Sequence, residues 1–257
     1  MASVVPGAEP LSVTGGDFGV LVLHGFTGSP TSVRGLAEAF AARGHSVEMP
    51  LLPGHGTHIH DMVDTTWADW SSAAEEGLAR LRAHTRNQVV AGLSMGGAIA
   101  CWLAVGHPDL AGLICINPPI DIPAEHSEAL RGLLGAGVTV LEGSGSDIAD
   151  PEAVDFAYPD TPLAPLLTML EAAGDLTSRL HRISQPLLLV NSINDHVVPP
   201  ENSDRLAAAV SGPVERLELH RSYHVATVDY DRDILERRCV EFVDRLSGDP
   251  GPAPGAS

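Results

Sequence analysis

An apolar segment that leads directly into a glycine-flanked serine constrains this chain more than any other feature. Residues 88–91 (QVVA) are followed by the sequence GLSMG, in which the serine is Ser94, and then by GAIA. In this order, the G-x-S-x-G pattern predicts a buried strand, a sharp turn and a helix that starts at once. Glycines flank the turn because strand and helix approach too closely there for side chains. The turn is therefore expected to expose the oxygen of Ser94.

Similar apolar segments elsewhere predict a parallel sheet. They are continuous, not alternating, and are bounded by Gly, Asn or Pro, which is typical of strands buried on both faces. These segments are residues 19–23 (GVLVL), 88–91, 113–116 (LICI) and 186–190 (PLLLV). Helical periodicity between them predicts helices over residues 31–43, 66–84, 94–105, 201–210 and 231–246. This alternation predicts an α/β fold with a mostly parallel, doubly wound sheet.

The alternation stops over residues 121–179, which we interpret as an insertion. This block holds two short amphipathic segments rich in leucine, separated by the turn-rich residues 143–150. We expect it to form a small helical cap on a core built from residues 1–120 and 180–247. Some of its leucines are candidates for contact with a substrate. Residues 248–257 (GDPGPAPGAS) are expected to be a flexible tail.

The charge and cysteine content exclude several function classes. The formal net charge is −18, from 15 Lys+Arg against 33 Asp+Glu, and such a field repels phosphate backbones and anionic lipid surfaces. We therefore expect no nucleic-acid partner, and no stable membrane insertion because runs of about 18 apolar residues do not occur. The 3 cysteines lie in apolar segments without a C-x-x-C pair, so neither zinc nor a disulfide framework is indicated. Since the chain starts without a basic and apolar leader, we expect a cytoplasmic protein.

A serine hydroxyl becomes a nucleophile only when a base takes its proton and an acid orients that base. In chains with this serine turn, the order is serine, acid, histidine. Asp195 follows the strand at 187–190, and His224 follows a predicted strand at 214–219. Both residues lie where parallel sheets place their sites, at the carboxyl ends of strands. We therefore predict Ser94 as nucleophile, Asp195 as acid and His224 as base.

Other residues compete for these two supporting roles. His196 adjoins the proposed acid, and His220 lies within or at the end of a strand, so His224 is the better base. Asp229 and Asp231 precede the last predicted helix, where they are better suited to capping it.

The negative charge that develops during attack on a carbonyl needs two backbone N–H donors. One is expected from Met95, the residue after the nucleophile, and the other from Phe26 in the loop HGFTG that follows the first apolar strand. No phosphate-binding or dinucleotide-binding glycine motif is present. The histidine-rich residues 54–60 (GHGTHIH) lack a zinc-binding spacing. We expect neither a cofactor nor a metal.

Taken together, these motifs resemble those of the bacterial monoacylglycerol lipases and related carboxylesterases of the α/β-hydrolase superfamily. The resemblance runs from about residue 19 to residue 246 through LHGFTG, GHGTH, DTTWADW, GLSMGG, INPPIDIPA, NDHVVPP and SYHVATVDYD. It places the family's nucleophile, acid and base on Ser94, Asp195 and His224, and its oxyanion donors on Phe26 and Met95.

The resemblance also implies a mobile apolar cap that admits one acyl chain and cofactor-free hydrolysis of monoacylglycerols or of short to medium chain esters. Asp155 is a polar candidate for holding a glycerol headgroup. The alternative is that Asp155 is simply an exposed charge on a helix.

Several functions remain open at this point. The first is ester hydrolysis through an acyl-enzyme on Ser94; acyl transfer to an alcohol or thiol, or carbon–carbon cleavage, is the second, because this fold hosts many reactions. A binding protein that retains an unused pocket is the third. The partner is expected to be a small ester with one acyl chain. The sequence leaves open contact with lipid aggregates and does not distinguish a monomer from a homodimer.

Overall fold

The structure is a computed structural model that describes residues 3–143 and 145–248. The strands are β1 (Leu11–Val13), β2 (Phe18–Leu23), β3 (Ser46–Met49), β4 (Asn87–Leu93), β5 (Gly112–Ile116), β6 (Val140–Glu142), β7 (Asp160–Pro162), β8 (Leu187–Ser192) and β9 (Val214–Leu219). The helices are α1 (Arg34–Ala42), α2 (Ile59–Met62), α3 (Trp67–Arg82), α4 (Met95–Gly106), α5 (Ala124–Gly135), α6 (Leu163–Thr177), α7 (Glu201–Ala209) and α8 (Arg232–Ser247).

A seven-stranded sheet lies at the centre, in the order β1-β3-β2-β4-β5-β8-β9. Strand β1 pairs with β3 in the antiparallel sense, and the other neighbours are parallel. All residues of β2, β5 and β8 are buried, which confirms the strands predicted from continuous apolarity. The predicted mostly parallel α/β fold is confirmed.

Both faces of the sheet are covered by helices, which explains why its central strands do not alternate in polarity. Side chains of successive strand residues point to opposite faces. In β2, Leu21 and Leu23 pack in the core that includes α3 and α4 residues, whereas Val20 and Val22 pack in the core that includes α1 and α8 residues. In residues 3–143 and 145–248, no helix is both long and apolar enough to cross a membrane.

Strand β3 was not predicted, because a carboxylate interrupts its apolar pattern. Glu48 is only 5% exposed, and its Oε2 accepts a hydrogen bond from Arg80 Nε of α3 at 3.2 Å. This ion pair allows a charged residue inside a strand, since a buried charge is tolerated when it is paired. The short strand β1 was missed as well, because three residues, LSV, carry too little pattern.

The segment between β5 and β8 forms two helices and a hairpin. Helices α5 and α6 pack against each other, and α6 also contacts α3 and α4. The hairpin of β6 and β7 pairs Val140 with Pro162 and Glu142 with Asp160. It was not predicted, because its strands are three residues each. Of the predicted tail, residues 249–257 lie outside the described residues, and Gly248 ends α8 with φ +75°.

Candidate active site

Ser94 lies between the last residue of β4 and the first residue of α4. Its φ of 53° and ψ of −121° are costly for a residue with a side chain, and such strain is typical of functional turns. The flanking glycines permit the turn: a Cβ atom on Gly92 would lie 2.1 Å from the backbone of Gly96. The strand, sharp turn and helix predicted around this serine are all present.

The structure brings the predicted base to the predicted nucleophile. Nε2 of His224 lies 2.9 Å from Oγ of Ser94, and Nδ1 lies 2.7 Å from Oδ2 of Asp195. The His224 and Asp195 side chains are 9% and 1% exposed. The other oxygen of Asp195 accepts hydrogen bonds from the N–H groups of Val197 and Val198, both at 2.8 Å. These bonds hold the carboxylate in the orientation that reaches the imidazole.

The competing histidines lie elsewhere. His196 is paired with Asp147 across 2.9 Å, and its side chain is 60% exposed. His220 is exposed at the end of β9. The geometry therefore favours His224 as the base.

The prediction that Asp229 and Asp231 cap the last helix is wrong. Asp231 is the N-cap residue of α8 by position, but its side chain makes no cap hydrogen bond. Its Oδ2 accepts instead from the N–H groups of Arg221 and Ser222, at 2.8 and 3.0 Å. Asp229 is 1% exposed and accepts from the N–H of Tyr223 at 2.8 Å. The backbone N–H groups of the His224 loop have no partner in a strand, and buried backbone donors need an acceptor. Both carboxylates supply such acceptors and so stabilise the loop.

The two predicted oxyanion donors belong to segments that adjoin the serine. Met95 is the first residue of α4, so its N–H is not used by the hydrogen bonds of the helix. The loop of Phe26 runs against the nucleophile: a Cβ on Gly25 would lie 3.2 Å from the Ser94 Cβ. The Phe26 ring packs edge-on against Trp70 with centroids 5.6 Å apart. This arrangement is consistent with the predicted donor role of both residues.

A buried pair of neutral histidines supports this loop. His24 Nδ1 donates to the Gly25 carbonyl at 3.0 Å, and its Nε2 accepts from the Leu52 N–H at 3.2 Å. The rings of His24 and His55 lie 4.9 Å apart. Burial lowers the pKa of His24 from 6.5 to about 3, with the neighbouring His55 as a second cause. Burial also lowers the pKa of His55, from 6.5 to about 4. Both rings are therefore uncharged at neutral pH.

Replacement of His55 by glutamine is expected to flatten the dependence of stability on pH. Because the folded pKa is the lower one, the unfolded chain binds more protons below pH 6.5, and stability falls as the pH falls. Between pH 7 and pH 5, the wild-type free energy of unfolding should drop by about 2 kcal/mol more than that of His55→Gln. Urea titrations at both pH values measure this difference.

The same change at the exposed His84 is the control for this prediction. His84→Gln should leave the wild-type pH dependence in place. Equal slopes for wild type and His55→Gln would contradict a depressed pKa for His55.

A cavity of about 670 Å³ opens beside Ser94 and His224. Its wall includes apolar side chains from helices α5 and α6, among them Leu130, Leu166 and Leu170. Asp155 also lines it; its Oδ1 accepts from Thr31 Oγ1 at 2.9 Å and its Oδ2 from Ser146 Oγ at 2.8 Å. The space is of the size that binding sites for small organic ligands have.

Sequence reasoning missed side chains that shape the site from a distance. Asn117, directly after β5, has a φ of 47°, and its Nδ2 donates to the His224 carbonyl at 2.7 Å. Its place at the carboxyl end of a buried strand is the signal that could have found it. Asp147, between β6 and β7, contacts both the loop of Asp195 and the loop of His224, and nothing in the local sequence marks it. The described residues contain no group of three or more His, Cys, Asp or Glu that could hold a metal.

Comparison with known proteins places the chain in a family. The family model described as serine aminopeptidase, S33, matches residues 18–231. A thermostable monoacylglycerol lipase of Bacillus sp. (strain H-257) is 42% identical over 248 residues, 95% of this chain and 98% of that protein. A carboxylesterase of Bacillus subtilis (strain 168) is 28% identical over 242 residues, 93% of this chain and 97% of that protein.

A solved structure from work on the metagenome-derived lipolytic enzymes LipS and LipT is similar as well. It matches with a TM-score of 0.90 and 37% identity, and the match covers 95% of this chain and 100% of that one. These findings confirm the resemblance read from the motifs and the α/β-hydrolase fold. The chain belongs to the serine aminopeptidase S33 family of α/β-hydrolases.

Proposed function

We propose that this protein hydrolyses carboxylic esters through an acyl-enzyme on Ser94 and that monoacylglycerols are its preferred substrates. The observation that carries the proposal is the alignment of Ser94, His224 and Asp195, at 2.9 and 2.7 Å, beside a cavity with a largely apolar wall. The similarity to a monoacylglycerol lipase and a carboxylesterase over nearly the whole chain supports ester hydrolysis.

Each step of the reaction follows from the placement of these groups. His224 Nε2 takes the Ser94 proton as Oγ attacks the ester carbonyl carbon, and Asp195 stabilises the imidazolium that forms. The N–H groups of Phe26 and Met95 hold the oxyanion. His224 then gives the proton to the alkoxy oxygen, the alcohol leaves, and Ser94 is acylated. Water then loses a proton to the same imidazole as it attacks the acyl carbon, and His224 returns that proton to Ser94 Oγ as the carboxylic acid is released.

A headgroup role for Asp155 explains a preference for glycerol esters. Each of its carboxylate oxygens has a hydroxyl partner, on Thr31 and Ser146, and a carboxylate can accept about four hydrogen bonds. Asp155 lines the same cavity as Ser94, so donors of a bound substrate can reach its remaining lone pairs. Glycerol hydroxyls are donors of the kind that would fill them, whereas a methyl ester has none.

Hydrolysis rates of a monoacylglycerol and of the methyl ester with the same acyl chain test this proposal. We expect a higher kcat/KM for the monoacylglycerol, with free fatty acid and glycerol released in equal amounts. Equal rates for both esters would make the protein a general carboxylesterase. Acyl products that form only when an alcohol is added would identify a transferase instead.

Replacement of Asp155 by alanine is expected to raise KM for the monoacylglycerol about tenfold or more, because a hydrogen bond to a charged group contributes about 1.5–3 kcal/mol. KM for the matched methyl ester should change by less than about twofold, since that ester makes no such bond. Initial rates with both esters measure the effect.

A carboxylate in the same cap hairpin provides the control for this variant. Asp160→Ala alters β7 and should leave the ratio of the two KM values unchanged. Parallel rises for both esters in Asp155→Ala would contradict a headgroup role.

A further inference from the structure

The peptide groups of His224 are held by two side chains from different parts of the molecule. Asp147 Oδ2 accepts a hydrogen bond from the His224 N–H at 3.1 Å, and Asn117 Nδ2 donates one to the His224 carbonyl at 2.7 Å. Asn117 follows the central strand β5, whereas Asp147 lies in the cap between β6 and β7. The carbonyl of His224 is thus held by a residue at the end of a sheet strand, and its N–H is held by a residue of the cap.

The Asp147 carboxylate also contacts the loop that carries Asp195. Its Oδ2 accepts from the His196 N–H at 3.1 Å, and its Oδ1 accepts from His196 Nδ1 at 2.9 Å. The main-chain oxygen of Asp147 accepts from the Val225 N–H at 3.1 Å. The side chain is 17% exposed, so water competes little for these bonds. One cap residue therefore joins the loops of the proposed acid and base.

A second carboxylate also connects the cap with the loop of His224, but it belongs to the core. Asp229, from the core, accepts hydrogen bonds from the cap N–H groups of Ala149 and Asp150, at 2.8 and 3.0 Å. It also accepts from the N–H of Tyr223, next to His224, at 2.8 Å. The segment around Asp147 cannot shift without breaking bonds to the loop of His224. Asp147 is thus held in place relative to the groups that it contacts.

We propose that Asp147 is a positioning residue of this hydrolase. Its carboxylate ties the His224 loop to the Asp195 loop and keeps His224 Nε2 within hydrogen-bond reach of Ser94. The proposal rests on the proposed function of these three residues. Hydrogen bonds to a carboxylate are about twice as strong as those between neutral groups, and a misplacement of about 1 Å in an active site can cost about 100-fold in rate.

The test compares Asp147→Ala and Asp147→Leu with wild type on 4-nitrophenyl acetate and 4-nitrophenyl decanoate. We expect kcat to fall about 10-fold to 100-fold on both esters, because a displaced base slows the reaction whatever the acyl chain. KM should stay within about threefold: Asp147 lines the cavity, but its carboxylate is bonded to the two loops and has no donor to meet on an acyl chain. Labelling of Ser94 by a fluorophosphonate should slow by the same factor as kcat. Leucine has the branched shape of aspartate but no acceptor oxygen, so Asp147→Leu decides if Asp147→Ala does not fold.

Two further variants are controls. Asp150→Asn changes a cap carboxylate whose Oδ1 accepts from the nearby Glu152 N–H at 3.0 Å, and it should keep kcat within about twofold of wild type. His196→Ala removes a ring that is 60% exposed. It leaves the hydrogen bonds that the main-chain N–H groups of residue 196 and His224 donate to the Asp147 carboxylate, so kcat should stay within about threefold.

The proposal is overturned if folded Asp147→Ala or folded Asp147→Leu keeps kcat within about twofold on both esters. It is also overturned if only KM for the decanoate rises, which would make Asp147 a residue that binds the acyl chain. Survival of activity in Ser94→Ala would refute the proposed function instead. The two failures are therefore distinguishable.

Discussion

Replacement of Ser94 by alanine is expected to lower kcat/KM for 4-nitrophenyl butyrate about 10⁴-fold, because loss of a triad nucleophile removes the acyl-enzyme route. The Ser94 oxygen lies 2.9 Å from His224 Nε2, and an alanine leaves that base without a proton to take. The oxyanion donors would still contribute, which accounts for the residual rate. Initial-rate measurements on purified wild type and variant give the ratio directly.

The control for this prediction is Ser178→Ala, which removes an exposed serine whose hydroxyl bonds to the Asp175 carbonyl. It should keep the wild-type rate. A fluorophosphonate is expected to label wild type and Ser178→Ala but not Ser94→Ala. If Ser94→Ala kept activity within about tenfold of wild type, another nucleophile would have to carry the reaction.

The central strands were predictable because burial on both faces imposes a strong constraint on sequence. Strands β2, β5 and β8 are buried at every position, and this gives continuous apolar segments. Strand β3 was not predictable in this way, because the burial of Glu48 depends on Arg80 of α3, a partner that lies far along the chain. Where the local pattern does not predict a strand, a tertiary contact can still stabilise one.

Local sequence patterns likewise predict some residues of the candidate site and miss others. Ser94, Asp195 and His224 could each be predicted, because each comes directly after a strand or in the loop that follows one. That order alone brings them to the same edge of a parallel sheet. Asp147 lies 77 residues along the chain from His224, in a segment without periodicity, and only the folded segment between β5 and β8 brings the two together.

Replacement of Gly96 by alanine is expected to destabilise the protein by about 3 kcal/mol or more, at the upper end of what overpacking a core costs. A Cβ at this position would lie 2.3 Å from the Leu23 carbonyl oxygen and 2.8 Å from that of His24. Both neighbours are backbone atoms, so no side-chain rotation relieves the overlap, and the end of β2 must move away from α4. The loop of Phe26 follows this strand end directly, and we expect kcat to fall about 100-fold with a displacement of about 1 Å.

Gly106, the last residue of the same helix, is the matched control. A Cβ there meets no atom within 4 Å, and Gly106→Ala should be neutral or stabilising by up to about 1 kcal/mol, because alanine favours helical backbone over glycine. Urea titration gives the free energy of unfolding of both variants, and ester hydrolysis at a temperature where both are folded gives kcat. Equal stability of the two variants would contradict the close approach of α4 to β2. Loss of stability in Gly96→Ala with an unchanged kcat would show that the helix moves while the loop of Phe26 stays in place.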